Sequence, residues 1–251
     1  MLVSAVEHGF ASIGFSSHAR QHFDPCASMD IPREQAYIAE INRLRKQYGS
    51  QISIHLGTEL DLFSCADTAP YDYFLGAVHY IPTFNDFIAV DSSYDITRKL
   101  IDSHFDGDGI QMACEYFKLY AACMLSKRPA IAAHFDLIRK YNAAGSLFDE
   151  TDPEYRNAAL SALYAVKESG AVLEVNTGGM ARAGLKTPYP DRFILEAWHD
   201  MDGNVILGSD CHFAPQIMAY YEEAAQYIKS CGFKKALVLG TGHNLFDETL
   251  L

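Results

Sequence analysis

Short apolar runs alternate with longer stretches in which apolar residues recur at helical spacing, and this alternation extends along the chain. A short apolar run predicts a buried strand, and an apolar stripe at every third or fourth position predicts a helix. The predicted strands cover residues 11–15, 52–56, 73–78, 130–133, 172–175, 205–207 and 236–239. The predicted helices cover residues 1–9, 32–48, 108–126, 153–170, 191–200 and 222–231.

Prolines and glycines mark the ends of two of these helices. Pro32 and Pro153 stand in the first turn of their helices, and Gly49 and Gly170 follow the last turn. Residues 81–93 carry neither pattern and are predicted to form a loop. Strands that alternate with helices are typical of a parallel sheet covered by helices, and the number of strands favours a barrel. We therefore expect one α/β barrel domain over residues 1–251.

Residues of the metal-ligand type follow several of the apolar runs. The clearest example is residues 207–212 (LGSDCH), where a carboxylate and an imidazole stand two positions apart at the end of a strand. One such residue is more often a cap or a hydrogen-bonding group, but the pattern recurs at strand after strand. Functional side chains of a parallel barrel gather at the carboxyl ends of its strands. The candidate metal ligands are His18, Glu59, His79, His134, Asp210 and His212.

The donor atoms of this set suit particular metals. Imidazole nitrogens and carboxylate oxygens bind zinc, manganese or iron, and a bridging carboxylate holds two ions close together. The sequence therefore predicts a multinuclear divalent-metal site at one end of the barrel.

Composition narrows the class of partner. The formal net charge of −12 argues against a nucleic-acid backbone as the main partner, since that interaction needs a basic surface. Six cysteines without a Cys-x-x-Cys pair predict reduced thiols and a cytoplasmic protein rather than a disulfide framework. We expect no membrane span and no signal peptide, because no apolar run has the required length or flanks.

Five motifs in order along the chain resemble those of the polymerase-and-histidinol-phosphatase (PHP) superfamily. They are residues 15–18 (FSSH), 57–59 (GTE), 76–79 (GAVH), 133–137 (AHFDL) and 208–212 (GSDCH). The sequence around the third and fourth motifs looks most like the monofunctional histidinol-phosphate phosphatases. The resemblance implies a distorted (β/α)7 TIM-like barrel of the PHP type, with up to three divalent metal ions.

The same resemblance implies a role for each candidate ligand. Glu59 would bridge two ions, with His79 and His134 completing the site of one of them. Asp210 would bind the other ion on Glu59, and His18 and His212 would belong to a third. A hydroxide held by the metals would attack the phosphorus of a small phosphate monoester, L-histidinol phosphate, in histidine biosynthesis.

One family motif is missing from this sequence. PHP proteins open with a strand that carries His-x-His, and no such motif precedes residues 15–18. We therefore expect a chain that lacks the first barrel strand through N-terminal truncation. We also expect weak or no phosphatase activity from the polypeptide as written, because two of the three ions lose ligands.

A phosphatase also needs cations that orient the phosphate. Arg182 follows a strand end, and a guanidinium can hold two phosphate oxygens at once, which makes it the first candidate for substrate binding. Arg20 and Arg139 are weaker candidates. The catalytic general acid would be Asp210 or a histidine of the metal shell, His212 included.

Two other interpretations stay open. The chain could be another PHP phosphoesterase that acts on nucleotides or oligonucleotide ends. It could also be a degenerate, non-catalytic PHP barrel that binds one ion or none. Comparing phosphate release from different substrates distinguishes a histidinol-phosphate phosphatase from another PHP phosphoesterase. The metal content per chain distinguishes a complete metal site from a degenerate barrel.

Overall fold

A computed structural model describes residues 1–67 and 69–251 of the chain. Its main sheet has eight strands, given next in the order in which they lie side by side across the sheet. The strands of this sheet are β1 (Ser12–His18), β2 (Ser53–Asp61), β3 (Tyr73–Ala77), β6 (Ile131–Ala132), β7 (Val172–Asn176), β8 (Val205–Gly208), β9 (Lys235–Leu239) and β10 (Phe246–Leu250). All neighbouring pairs are parallel except β9 and β10, which are antiparallel.

The sheet is curled, so that its two outer parallel strands approach each other. The hydroxyl of Ser12 in β1 donates a hydrogen bond of 2.6 Å to the carbonyl oxygen of Leu239 in β9. This α/β fold with a curled, mostly parallel sheet agrees with the predicted class. The seven-strand barrel count and the absence of an opening strand stay predictions.

The second sheet is a small hairpin of β4 (Tyr80–Pro82) and β5 (Phe87–Ala89), which pair in antiparallel register. All of it except Tyr80 lies within residues 81–93, so the prediction of a loop there was wrong. The hairpin has only three residues in each strand, which is too short to give a clear alternating pattern.

Eight α-helices connect and cover the strands within the described residues. They are α1 (Leu2–Glu7), α2 (Ile31–Tyr48), α3 (Tyr94–His104), α4 (Gly109–Lys127), α5 (Pro153–Ser169), α6 (Gly178–Ala183), α7 (Arg192–Asp200) and α8 (Tyr221–Ser230). The predictions for α1, α2, α4, α5, α7 and α8 are confirmed to within about two residues. Helix α3, helix α6 and the edge strand β10 were not predicted.

Local caps explain several of these boundaries. The Asp30 carboxylate accepts a hydrogen bond from the backbone N–H of Arg33 at the start of α2, and Asp152 does the same for Glu154 in α5. Gly170 ends α5 in the left-handed conformation with φ +81°, which a glycine adopts at little cost.

The central strands β2, β3, β6 and β7 are buried on both faces. Between the sheet and helices α4, α5 and α7 lies the larger core, which includes Tyr116, Tyr120, Phe135, Tyr155 and Trp198. The concave face is filled by side chains such as Tyr73, Leu75, Ile131, Val172 and Ile206. Burial on both faces is why the parallel strands read as continuous apolar runs.

Strand β1 is longer than the sequence pattern predicts. The predicted strand ends at residue 15, but pairing with β2 continues through residues 16–18, until His18 lies opposite Glu59. The extension places an imidazole at the carboxyl edge of the sheet on a regular strand. Among the described residues, no helix is long and apolar enough to cross a membrane.

Candidate metal centre

Glu59 lies at the centre of three histidines at the carboxyl ends of the strands. Its Oε1 atom is 2.9 Å from Nε2 of His134 and 3.4 Å from Nε2 of His79. Its Oε2 atom is 3.6 Å from Nδ1 of His18. Glu59, His79 and His134 are buried, and His18 is partly exposed. We call these four residues the Glu59 cluster.

Strand register brings the Glu59 cluster together. His18 ends β1 directly opposite Glu59 of β2, and Glu59 lies opposite Leu75 of β3. His79 and His134 each follow the last residue of their strand, β3 and β6, by two positions. Parallel strands end at the same edge of a sheet, so side chains distant in sequence converge there.

A second group lies after β8 and on α6. The guanidinium of Arg182 donates hydrogen bonds to the main-chain carbonyl oxygen and to the carboxylate of Asp210. Nδ1 of His212 is 3.0 Å from the main-chain oxygen of Asp210 and 3.8 Å from its Oδ1 atom. The His212 side chain is 54% exposed, and that of Asp210 is 25% exposed. We call these three residues the Asp210 cluster.

Two residues of the site have unusual backbone conformations. His134 has φ +21° and Asp210 has φ +47°, both in the left-handed region that non-glycine residues rarely adopt. Such conformations persist where surrounding contacts hold them, and they are concentrated at functional sites. Both lie immediately beyond strand ends, where the chain turns away from the sheet.

Two buried carboxylates hold the backbone of the buried histidines. Oδ2 of Asp61 accepts a hydrogen bond of 2.6 Å from the backbone N–H of His79 and lies 3.5 Å from Nδ1 of its ring. Oε2 of Glu174 accepts a hydrogen bond of 2.9 Å from the backbone N–H of His134. Each carboxylate comes from the strand next to the one that its histidine follows.

Sequence reasoning did not select Asp61 or Glu174, although a signal for each is present. Asp61 stands two positions after Glu59 in β2, and residues two apart in a strand face the same side. Glu174 is the one charged residue in the strand VLEVN, all of which is buried. A charged residue in a buried strand needs a hydrogen-bonding or ionic partner, so such a residue is a candidate site residue.

The electrostatics of the Glu59 cluster favour a negative carboxylate among imidazoles. Burial opposes the charge of Glu59, but His18, His79 and a hydrogen bond from His134 outweigh it and hold the pKa of Glu59 below its usual range. Burial also opposes the charge of His79, yet Glu59 and Asp61 raise the pKa of His79 to about 10. Glu59 favours the charged form of His18, but burial and the neighbouring histidines lower the pKa of His18.

The donor set of the Glu59 cluster fits a divalent metal. Donor atoms of His18, Glu59 and His79 all lie within 4.8 Å of one another. Two ligands of a tetrahedral zinc ion with bonds of about 2.1 Å are about 3.4 Å apart, which matches the donor distances around Glu59. Within the described chain, the buried Nδ1 atoms of His79 and His134 also lack a hydrogen-bond partner. The cluster therefore has both the chemistry and the spacing of a metal site.

The predicted substrate arginines differ in their surroundings. Arg182 belongs to the Asp210 cluster at the site. Nε of Arg20 is 3.0 Å from Oε2 of Glu34, a carboxylate on α2. Arg139 is buried, and its guanidinium lies within 3.3 Å of carboxylate oxygens of three residues, Asp136, Glu150 and Asp191. Roles in substrate binding for Arg20 and Arg139 stay predictions.

Curated relatives match most of the chain. The "Probable histidinol-phosphatase" of Schizosaccharomyces pombe is 26% identical over 262 residues, covering 96% of this chain and 83% of the relative. The histidinol-phosphatase of Bacillus subtilis is 27% identical over 240 residues, covering 87% of this chain and 88% of the relative.

A solved structure has the same fold. It is the histidinol phosphate phosphatase of Lactococcus lactis subsp. lactis in complex with zinc, L-histidinol and phosphate. It superposes with a TM-score of 0.63 at 20% identity, covering 96% of this chain and 89% of that chain. The model of the PHP domain family matches residues 1–178, the segment that carries every member of the Glu59 cluster. Since that match spans well over half of the sequence, the chain belongs to the PHP domain family.

Proposed function

We propose that this chain is a metal-dependent phosphomonoesterase that hydrolyses L-histidinol phosphate to L-histidinol and inorganic phosphate in histidine biosynthesis. The observation that carries the proposal is the Glu59 cluster, in which three imidazoles surround one buried carboxylate at the strand ends. The choice of substrate is supported by the relatives. They are named histidinol-phosphatase or probable histidinol-phosphatase, and they align with this chain over most of its length.

The candidate ligands divide between the two clusters. Glu59, His79 and His134 would hold one ion, and Asp210 would share Glu59 with a second. His18 and His212 would contribute to a third. Zinc, manganese and iron all suit these donors, and zinc is the ion in the Lactococcus structure. When bound, divalent ions polarise phosphoryl oxygens and lower the pKa of a coordinated water.

The residues of the Asp210 cluster would handle the substrate. Arg182 would orient the phosphate, because its planar guanidinium can donate to two oxygens at once. A hydrogen on Nδ1 of His212 would donate to the main-chain oxygen of Asp210, 3.0 Å away, and leave Nε2 directed elsewhere. Nε2 of His212 would then be free either to contribute to the third ion or, where it carries a proton instead, to protonate the alkoxide that leaves as histidinol.

The domain organisation, the class of substrate and the compartment follow from the same proposal. Residues 1–251 would act as one PHP-type barrel domain, with the (β/α)7 arrangement of the family. The acidic charge of −12 supports a small phosphate monoester rather than a long nucleic acid as substrate. Six cysteines without a disulfide support a reducing compartment, the cytoplasm.

Phosphate release by the purified chain tests the function. The missing His-x-His motif predicts slow turnover, and we expect that turnover of histidinol phosphate to exceed that of a nucleoside monophosphate and of a dinucleotide, to stop with a chelator, and to return with zinc or manganese. Preferred turnover of either nucleotide substrate would instead support a different PHP phosphoesterase. No turnover together with one bound ion per chain, or none, would support a non-catalytic barrel.

A further inference from the structure

Glu174 is a buried carboxylate that the proposed reaction does not use. It lies in the middle of β7 and is 6% exposed. Within the described residues, no lysine, arginine or histidine forms an ion pair with it. Burial raises the pKa of Glu174, which reflects the cost of a charge at this position. A leucine there would avoid that cost.

The contacts of Glu174 reach the Glu59 cluster on one side. Its Oε2 atom accepts a hydrogen bond of 2.9 Å from the backbone N–H of His134. His134 has φ +21°, a conformation that needs external support. The same residue directs Nε2 to within 2.9 Å of Glu59. The hydrogen bond from Glu174 therefore fixes the segment from which a candidate metal ligand projects.

On the other side the contacts lead to the Asp210 cluster. Oε2 of Glu174 also accepts a hydrogen bond of 2.9 Å from Nδ2 of Asn176. Oδ1 of Asn176 accepts one of 2.7 Å from the backbone N–H of Gly178, the first residue of α6. Helix α6 carries Arg182, whose guanidinium packs so closely on Gly178 that a Cβ there would lie 2.7 Å from it. Arg182 in turn contacts Asp210.

The backbone of β8 leaves room for this carboxylate. A Cβ on Gly208 would lie 2.0 Å from Oε1 of Glu174, a distance that no real side chain could keep. Gly208 is also paired with Asn176 across the sheet and stands two residues before Asp210. A glycine at position 208 is thus required by the carboxylate and not by a turn.

We propose that Glu174 is a positioning residue that couples the Glu59 cluster to the Asp210 cluster through His134 and through Asn176, Gly178 and Arg182. The role rests on the proposed function, and it acts through hydrogen bonds that Glu174 accepts. Because both bonds end on one oxygen, they can be kept by an uncharged amide side chain. This property separates positioning from a role that needs the charge.

The test compares Glu174→Leu with Glu174→Gln. We expect Glu174→Leu to weaken zinc binding about 10- to 100-fold, the range for losing a residue that orients a metal ligand. It should also raise the KM for histidinol phosphate and change the absorption bands of the Co²⁺-loaded protein. Glu174→Gln should restore most of each property, because its amide oxygen can accept both hydrogen bonds.

Two further variants separate positioning from general destabilisation. Leu163→Ala removes core packing on α5, which contacts α4 and α7, so it should lower stability but leave zinc affinity and KM unchanged. Gly208→Ala drives a methyl group into the Glu174 carboxylate, so it should reproduce the zinc defect of Glu174→Leu.

Three outcomes would overturn the proposal. They are Glu174→Leu behaving like Leu163→Ala, Glu174→Gln being as damaged as Glu174→Leu, and Gly208→Ala binding zinc like the parent chain. Zinc affinity is measured by chelator competition, without substrate. If the parent chain binds zinc but does not hydrolyse histidinol phosphate, the proposed function fails while the zinc and Co²⁺ measurements still decide the role of Glu174.

Discussion

The two clusters of the site contain similar chemical groups in different environments. In the Glu59 cluster, the carboxylate and two of its three imidazoles are buried, and adjacent strands hold them. In the Asp210 cluster, the imidazole of His212 is 54% exposed, and the carboxylate of Asp210 and its partner Arg182 are each 25% exposed. Electrostatic interactions are stronger where water is excluded. The Glu59 cluster should therefore dominate metal binding, and the Asp210 cluster should act mainly on the substrate.

The largest effect should follow the loss of Glu59. Glu59→Gln removes the charge to which three histidines point and leaves the shape nearly unchanged. We expect zinc affinity and phosphate release to fall more than about 100-fold, beyond the range for residues that only orient a ligand. The measurements are zinc per chain and turnover of histidinol phosphate. Glu248→Gln on the exposed strand β10 is the control, and equal behaviour of the two variants would contradict the central role of Glu59.

A matched pair of histidine substitutions compares the two clusters directly. His79→Ala removes a buried imidazole that contacts both Glu59 and Asp61, whereas His212→Ala removes an exposed one. We expect His79→Ala to weaken zinc binding at least about tenfold more than His212→Ala, because buried electrostatic contacts count for more. Chelator competition on both proteins measures the difference. A larger loss from His212→Ala would reverse the assignment of the two clusters.

A smaller loss of zinc affinity should follow a change at Asp61, the carboxylate that contacts His79. Asp61→Asn keeps an oxygen that can accept from the backbone N–H of His79, but removes the charge 3.5 Å from Nδ1 of its ring. We expect a loss of zinc affinity of about 10- to 100-fold, with helix and strand content unchanged by circular dichroism. Unchanged zinc affinity would mean that Asp61 serves the fold alone.

The smallest effect should come from Arg182→Lys. Lysine keeps the positive charge but cannot donate two parallel hydrogen bonds to phosphate. We expect the KM for histidinol phosphate to rise about tenfold, equivalent to about 1.4 kcal/mol, with zinc affinity unchanged. Arg182→Met should raise KM further. If both variants change zinc affinity and not KM, then Arg182 supports Asp210 rather than binding substrate.

Much of the fold could be predicted because its elements repeat simple patterns. Helices α2 and α5 carry a proline at their start and a glycine after their last turn, so their bounds were predicted closely. The short elements could not be predicted in this way. Helix α6 has six residues and begins with two glycines, and β4 and β5 have three residues each. Their conformation depends on neighbouring parts of the chain and not on local preference.

The site also contains residues that the sequence predicts and residues that it does not. His18, Glu59, His79 and His134 could be selected because each is a potential ligand beside an apolar run, and the structure gathers them around one carboxylate. Asp61 shares strand β2 with Glu59, and Glu174 lies in β7, but the sequence does not show the role of either, because each acts by accepting a hydrogen bond from a backbone N–H group. These partners are 18 and 40 residues away in sequence.

The sequence alone determined the class of fold, the types of donor atom and the strands that carry them, because apolar periodicity and side-chain chemistry are local properties. Only the tertiary structure decided which donors face one another, which are buried and which arginines are occupied by carboxylates. Those properties depend on strand register and on the curl of the sheet, which bring together residues that have no local relation in the chain.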